Sequence, residues 1–236
     1  MKYALRHLTG VALLAALVAG CSYSSRDGEE PSSVAQFSTI GKKVLTSRRA
    51  GPPEKTVVTQ DILSKITVPV IQINPEVFGG SDFLTRAASR RDSGLGTVEV
   101  WSSSDDAQIF LRNGVLVGSR GVGRDIIAAD ANMSIRALNS GANASGVRRY
   151  TISDGDVTTT EYVFNCDIRN VGLEKINLAD QVFSVRHMRE DCIGGNQETI
   201  RLSNDYWVQP GTGLVRKSRQ WVSPSVGHFE IIVIRN

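Results

Sequence analysis

The chain has 236 residues, is 41% hydrophobic, and carries a formal net charge of +3 from 27 Lys and Arg against 24 Asp and Glu. That length can bury a substantial core as one domain or two small ones. Both charge signs are interspersed, without the basic stripe that a nucleic-acid binder shows, so nucleic acid is not an expected partner.

Residues 1–20 carry Lys2 and Arg6 followed by an apolar run from Val11 to Gly20. The run is shorter than the ~20 residues that span a hydrocarbon core. A basic start, a short apolar stretch and small residues before a cleavage point make a secretory signal. Val18-Ala19-Gly20-Cys21 resembles a bacterial lipobox, in which the cysteine is acylated and becomes the first mature residue. Cys21 is therefore the expected lipid attachment, and membrane lipid the first expected partner. By analogy with lipoprotein sorting, Ser22 directs the chain to the outer membrane, facing the periplasm. Cleavage would remove Lys2 and Arg6 and lower the net charge to about +1.

Residues 21–34 are polar and aperiodic, as expected of a flexible lipidated tether with a span of roughly 20 Å. Residues 35–236 are expected to form a single β-rich domain. At its start, Phe37, Ile40, Gly41, Val44 and Leu45 follow the spacing of an amphipathic helix. Thr59 is placed to cap a short helix over DILSKI.

From Thr67 the period becomes two. Strands are expected at 67–73 and 83–91, at TVEVW, and at 107–119 around Asn113-Gly114, the strongest hairpin signal in the chain. A second hairpin is expected at 147–164 around Asp154-Gly155, then strands at 181–190, QETIRLS, DYWVQ, GLVRKSRQWV and HFEIIVIRN. Helical turns are read at 123–132 and at 173–180. Ten or eleven strands without alternating helices predict an all-β, mainly antiparallel fold: a sandwich, a half-barrel or a bifurcated sheet.

Cys166 and Cys192 remain as an even pair in an oxidising compartment, which favours a disulfide closing a loop of about 27 residues; two buried thiols are the alternative. Neither cysteine has a second ligand at metal spacing, so no metal or cofactor is expected. His187 and His228, the histidines of the mature chain, sit in no catalytic motif, and Asp105, Asp106, Asp154 and Asp156 fall in turn-like clusters. No enzymatic activity is expected, although two carboxylates distant in sequence could still form a glycosidase pair. GSRGVGRD (118–125) reads as a strand end turning into a short helix, with an anion cradle as the weaker reading.

Between Tyr206 and Pro224, Trp207, Arg216, Arg219 and Trp221 could together contact a glycan or a protein partner. The competing reading places both tryptophans in a hairpin core. Alternation does not decide, because neither face of GLVRKSRQWV is cleanly apolar.

Taken together, the lipobox, TVEVWSSSDDAQIFLRNGVLVGSRGVGRDI (97–126), the two later cysteines and the YWV…SRQWV block resemble the YjbF-type lipoproteins, the group 4 capsule polysaccharide lipoproteins. The resemblance runs from about residue 67 to the C-terminus, departing where Asp105-Asp106-Ala107 stands in place of a D-G turn. It implies a β-rich outer-membrane lipoprotein needed for exopolysaccharide or capsule production or export. It supplies no catalytic residue and implies periplasmic accessory proteins and an outer-membrane β-barrel as partners; together with the lipobox and the lack of catalytic motifs, the expected role is that of a non-enzymatic accessory or assembly factor. A glycan-binding module contacting the exported polysaccharide is the alternative.

Overall fold

The structure, a computed structural model, describes residues 53–155 and 157–236. The signal, Cys21, the tether, the helix expected at 37–45 and Asp156 lie outside the described residues. Among the described residues the fold is all-β: twelve antiparallel strands form one nearly closed, barrel-like sheet, accompanied by two short helices. Helix α1 (Gln60–Lys65) begins where expected, with the Thr59 hydroxyl accepting from the Ile62 N–H.

The strands are β1 (Val70–Pro75), β2 (Asp82–Arg91), β3 (Thr97–Ser102), β4 (Gln108–Arg112), β5 (Val115–Arg120) and β6 (Ile126–Ala129). After helix α2 (Asn132–Ser140) come β7 (Ala144–Ser153), β8 (Thr159–Leu178), β9 (Gln181–Gly195), β10 (Thr199–Val208), β11 (Val215–Ser223) and β12 (Gly227–Arg235). Around the sheet the order is β5-β4-β3-β2-β1-β12-β11-β10-β9-β8-β7-β6. Every neighbour is consecutive in sequence except β1 and β12, the first and last strands, which pair from Val70↔Arg235 to Pro75↔Phe229. The two-residue turn Asn113-Gly114 takes positive φ at both positions, 47° and 81°, the combination a type I′ hairpin needs.

Two segments read as helical from sequence are strands. Residues 123–132 contain β6, and residues 173–180 continue β8 to a second two-residue turn, Ala179-Asp180, with φ of 50° and 59°. A non-glycine pair in the left-handed region carries no turn signature, which hid this hairpin. The Gln60 side chain donates to the Ala179 carbonyl, and the Gln60 N–H donates to Asp180 at 3.3 Å. The helix that does follow β6, α2, was not anticipated. It ends on Gly141 at φ 69° and packs its Ile135, Ala137 and Leu138 against Val115, Ile168, Met188, Tyr206 and Val208 inside the sheet.

The end strands β5 and β6 lie side by side, and side chains hold the seam. The Asp125 carboxylate accepts from the N–H groups of Gly121 (2.8 Å) and Val122 (3.1 Å) and from the Ser119 hydroxyl (3.0 Å). Ser119 Oγ in turn accepts from the Ile126 N–H at 3.0 Å. The glycine-rich stretch at 118–125 is therefore a strand-to-strand turn, not a helix start. Its N–H groups already hold an anion, the chain's own carboxylate.

A second polar group ties the interior. The Arg148–Glu190 ion pair (2.6 Å) lies inside the sheet, its side chains 2% and 0% exposed. Glu190 also accepts from Ser134 of α2 (2.6 Å), Asn204 (2.8 Å) and Tyr206 (3.3 Å), and Arg148 Nε donates to the Asp130 carbonyl (3.0 Å). Burial works against the charge on Arg148, but the adjacent carboxylate outweighs it and raises its pKa. Burial also pushes the Tyr150 hydroxyl up to about 12. Beside this cluster Cys166 and Cys192, direct partners on β8 and β9, form a disulfide.

Two stability outcomes follow from these clusters. Asp125→Ala leaves charge-assisted bonds unmade at the seam, and urea denaturation is expected to show a loss of about 2–4 kcal/mol; a loss below about 0.5 kcal/mol would show that the seam does not need it. Glu190→Leu strands a buried guanidinium and is expected to cost about 3–5 kcal/mol, whereas Arg148→Met/Glu190→Leu recovers most of that. A double variant no more stable than the single one would refute the account.

Candidate functional site

The strands carrying the block from Tyr206 to Pro224 are β10 and β11, and the structure divides its four candidate contact residues between two faces. Trp221 is 5% exposed and packs edge-on against Tyr150, Tyr162 and Phe164 inside the sheet. Its backbone N–H donates to the Asn204 side chain at 2.7 Å, beyond the last pair of the β10–β11 ladder, Asp205↔Arg219. Trp207 is half-buried and faces outward. The joint contact surface expected from Trp207 and Trp221 therefore does not form, because the two rings lie on opposite sides of the sheet.

Trp207 is not an open stacking platform. Its cross-strand partners are His187 on β9 and Lys217 on β11. The His187 ring stacks on the indole at 4.8 Å and 12°, and the Lys217 ammonium lies 4.9 Å from the ring centroid. The indole N–H donates to Glu174. Beyond the ring, His187 Nε2 is 2.8 Å from Asp205 and Nδ1 is 3.6 Å from Glu174.

The cations are similarly engaged. Arg219 grips Glu76 with two bonds, of 2.6 and 2.7 Å, and donates to the Ser203 carbonyl at 3.1 Å. Its guanidinium lowers the Glu76 pKa through those hydrogen bonds. Lys217 pairs with Glu230 at 2.8 Å. Arg216 differs from both: among the described residues it has no carboxylate partner, donates to Gln209 at 2.7 Å and stacks over Phe183 at 4.5 Å. Burial lowers its pKa.

Glu76, Glu174 and Glu230 come from three other stretches of the chain, Asp205 directly precedes Tyr206 on β10, and all four went unrecognised in the sequence. Two bulges, between Trp207 and Val208 and between Trp221 and Ser223, break the alternation that would have separated the faces.

Neither histidine approaches a nucleophile in this cluster. His228 Nε2 is 3.0 Å from the Ser203 carbonyl oxygen, while the Ser203 hydroxyl donates to Asp191 at 2.6 Å. One group of potential metal ligands was found among the described residues, Cys166, Cys192 and Glu190, and both of its sulfurs are in the disulfide. No helix among the described residues is long and apolar enough to cross a membrane.

Comparison with known proteins places these features. The profile of the family described as group 4 capsule polysaccharide lipoprotein gfcB, YjbF matches residues 34–234. The chain belongs to this YjbF family. Membership ties it to capsule or exopolysaccharide as a lipoprotein. No curated protein sequence matches it. The hypothetical lipoprotein YmcC of Escherichia coli K12 has a similar structure, with a TM-score of 0.63 and 17% identity over 89% of this chain and 98% of that one. At that identity the likeness establishes the fold. A protein with a YmcC-like fold from Bacteroides fragilis overlaps at a TM-score of 0.30 and 10% identity, covering 71% of this chain and 93% of that one. The RGVGRD and YWV…SRQWV segments that carry the YjbF resemblance are here the barrel seam and the strands bearing both tryptophans.

The outer-face network has a measurable acid dependence. Burial of Glu230 favours its protonated form, but bonds from Lys217, Lys55 and Asn74 prevail and bring its pKa down to about 2. A carboxyl depressed on folding stabilises above its unfolded pKa, and that contribution fades as pH falls through the folded value. Wild type is therefore expected to exceed Glu230→Gln in stability by on the order of 2–3 kcal/mol near neutral pH. Below about pH 2 the difference should vanish. Urea midpoints across that range check it, and a pH-independent difference would contradict it.

Proposed function

We propose that the chain is an outer-membrane lipoprotein, anchored through acylated Cys21 and facing the periplasm, that acts as a non-enzymatic accessory or assembly factor in capsule or exopolysaccharide production or export. Its layout in this reading is a signal at 1–20, a lipidated tether at 21–34 and one β-rich domain at 35–236. The observation that carries the reading is the YjbF family match over residues 34–234, preceded by a lipobox ending at Cys21.

Ion-paired cations on the outer face support docking over polymer binding. A surface whose Lys217 and Arg219 already hold Glu230 and Glu76 offers little net charge to an anionic polysaccharide. It does offer a rigid, hydrogen-bonded patch to an export protein, and Arg216 is its available cation. The partners in this reading are periplasmic accessory proteins and an outer-membrane β-barrel of the export system.

The test is made in cells whose own copy of the gene is deleted. Wild type is expected to incorporate radiolabelled palmitate, fractionate with the outer membrane and restore surface polysaccharide. Cys21→Ser should lose the label, and surface polysaccharide should fall at least about tenfold, since one acyl chain or none anchors only marginally. Unchanged polysaccharide in Cys21→Ser cells, or wild-type protein in the inner membrane, would overturn the reading.

A further inference from the structure

At the end of the barrel that holds the Asn113-Gly114 turn and the C-terminal end of α2, the interior is not filled. A cavity of about 230 Å³ remains. Its floor is apolar, formed by Ile71, Leu111 and Ile231 of the core. Its walls present neutral hydrogen-bonding groups, among them Asn113, Asn139, Thr212 and Ser218, together with the carboxylate Glu99. No lysine or arginine is among the lining residues.

Glu99 is directly opposite Leu111 on the neighbouring strand and so shares the inward face of β3. Its charge is balanced by Arg86, at 2.8 Å, and Arg86 also donates to Asn236 at 3.3 Å. The pair leaves the mouth close to neutral while keeping carboxylate lone pairs available.

Trp101 supplies the second observation. It lines the cavity, is 1% exposed, and its indole Nε1 is the buried side-chain polar atom without a hydrogen-bond partner among the described residues. A buried donor without an acceptor costs about 1–3 kcal/mol; this one is closed to solvent, so it is the edge of the ring and not its N–H that borders the cavity. The other buried polar groups of this interior, Glu190, Arg148, Asn204 and Gln220, are all bonded.

We infer that this cavity is a binding site for one neutral sugar residue, whose ring or hydroxyl oxygens meet the amides and the Glu99 carboxylate beside the Trp101 ring while its C–H face rests on the apolar floor. The mixed lining excludes a purely apolar ligand, and the absence of a lining cation disfavours an anionic one. Drug-sized sites measure roughly 300–1,000 Å³, so this one takes a single ring and not an oligosaccharide. The inference rests on the capsule-polysaccharide reading for its ligand class, but not on the lipid anchor or on any protein partner.

The chain's three tryptophans report on three different places: the cavity (Trp101), the outer face (Trp207) and the filled core (Trp221). The full-length lipoprotein, labelled with ¹⁵N only in its indoles and held in lauryldimethylamine oxide micelles, is titrated separately with the methyl glycosides of glucose, galactose, mannose and N-acetylglucosamine. Glucuronate and n-butanol serve as the anionic and apolar probes. At least one neutral glycoside is expected to move the Trp101 indole signal saturably in the millimolar range while the Trp221 signal stays still. Thr212→Trp at the exposed rim and Glu99→Gln should each weaken that response at least tenfold, with the Trp207 and Trp221 signals unchanged as evidence of folding.

The inference is overturned if no neutral glycoside moves the Trp101 signal, or if glucuronate or butanol moves it equally. It is also overturned if the shift survives Thr212→Trp, or if glycosides move Trp207 instead. Wild-type surface polysaccharide in cells, combined with no glycoside response, defeats the cavity site alone and leaves the accessory role standing.

Discussion

A twelve-strand meander whose first and last strands pair has one join left to make, and it falls in mid-chain between β5 and β6. Here the backbone does not supply the join through a regular ladder; Ser119 and Asp125 do. A two-strand seam held by one carboxylate and one hydroxyl is a narrow support for a closed sheet. The cooperative ladders on all other sides make it sufficient, because opening the seam would also expose Leu116, Ile126 and the interior they cover. Setting β5 beside β6 covers the two edges that an open sheet of this size would otherwise expose, with their risk of edge-to-edge association.

Closure also creates the problem that the rest of the structure solves. A barrel of this many strands encloses more space than its own side chains fill. Helix α2 occupies part of it, and its Ser134 joins Arg148 of β7 and Glu190 of β9 in one bonded group inside the sheet. Gln220 serves a similar purpose on the opposite wall. From β11 it accepts from the Leu116 N–H and donates to the Gly114 carbonyl, supplying partners to β5 across the interior. Ladder, helix and inward amide together leave one corner unfilled, at the end where β3, the Asn113-Gly114 turn and the loop before β11 meet.

The fold class was legible because alternation and turn chemistry are local. Asn113-Gly114 declares its own hairpin, and Thr59 its helix. What was misread lacked local signals: Ala179-Asp180 makes a glycine-type turn without glycine, and the Ile126–Ala129 strand is too short to show a period. Bulges defeated the reading of YWV…SRQWV, since each shifts the side-chain alternation by one residue and carries Trp221 inward while Trp207 faces out. The acidic partners that neutralise Lys217 and Arg219, and the cavity lining from β1 to the C-terminus, depend on sheet order. Sheet order is set by the β1–β12 pairing, which no short window of sequence reveals.

The two tryptophan environments bear on how such a domain can meet a polysaccharide. A ring that stacks on sugars needs an open face, and Trp207 has both faces occupied, by an imidazole and an ammonium. Freeing either face would break the His187–Asp205 or Lys217–Glu230 contact, so a polymer there must compete with bonds already made. At the barrel mouth the order is reversed. The Trp101 ring borders the opening, the Asn113 amide is fixed by a tight turn and the Asn139 amide by the end of α2, and the Arg86-balanced carboxylate is held on β3. Recognition costs least where polar groups are already in place. That condition is met by the inward-facing mouth, while the outward-facing aromatic cluster is a finished surface whose remaining asset is its rigidity toward another protein.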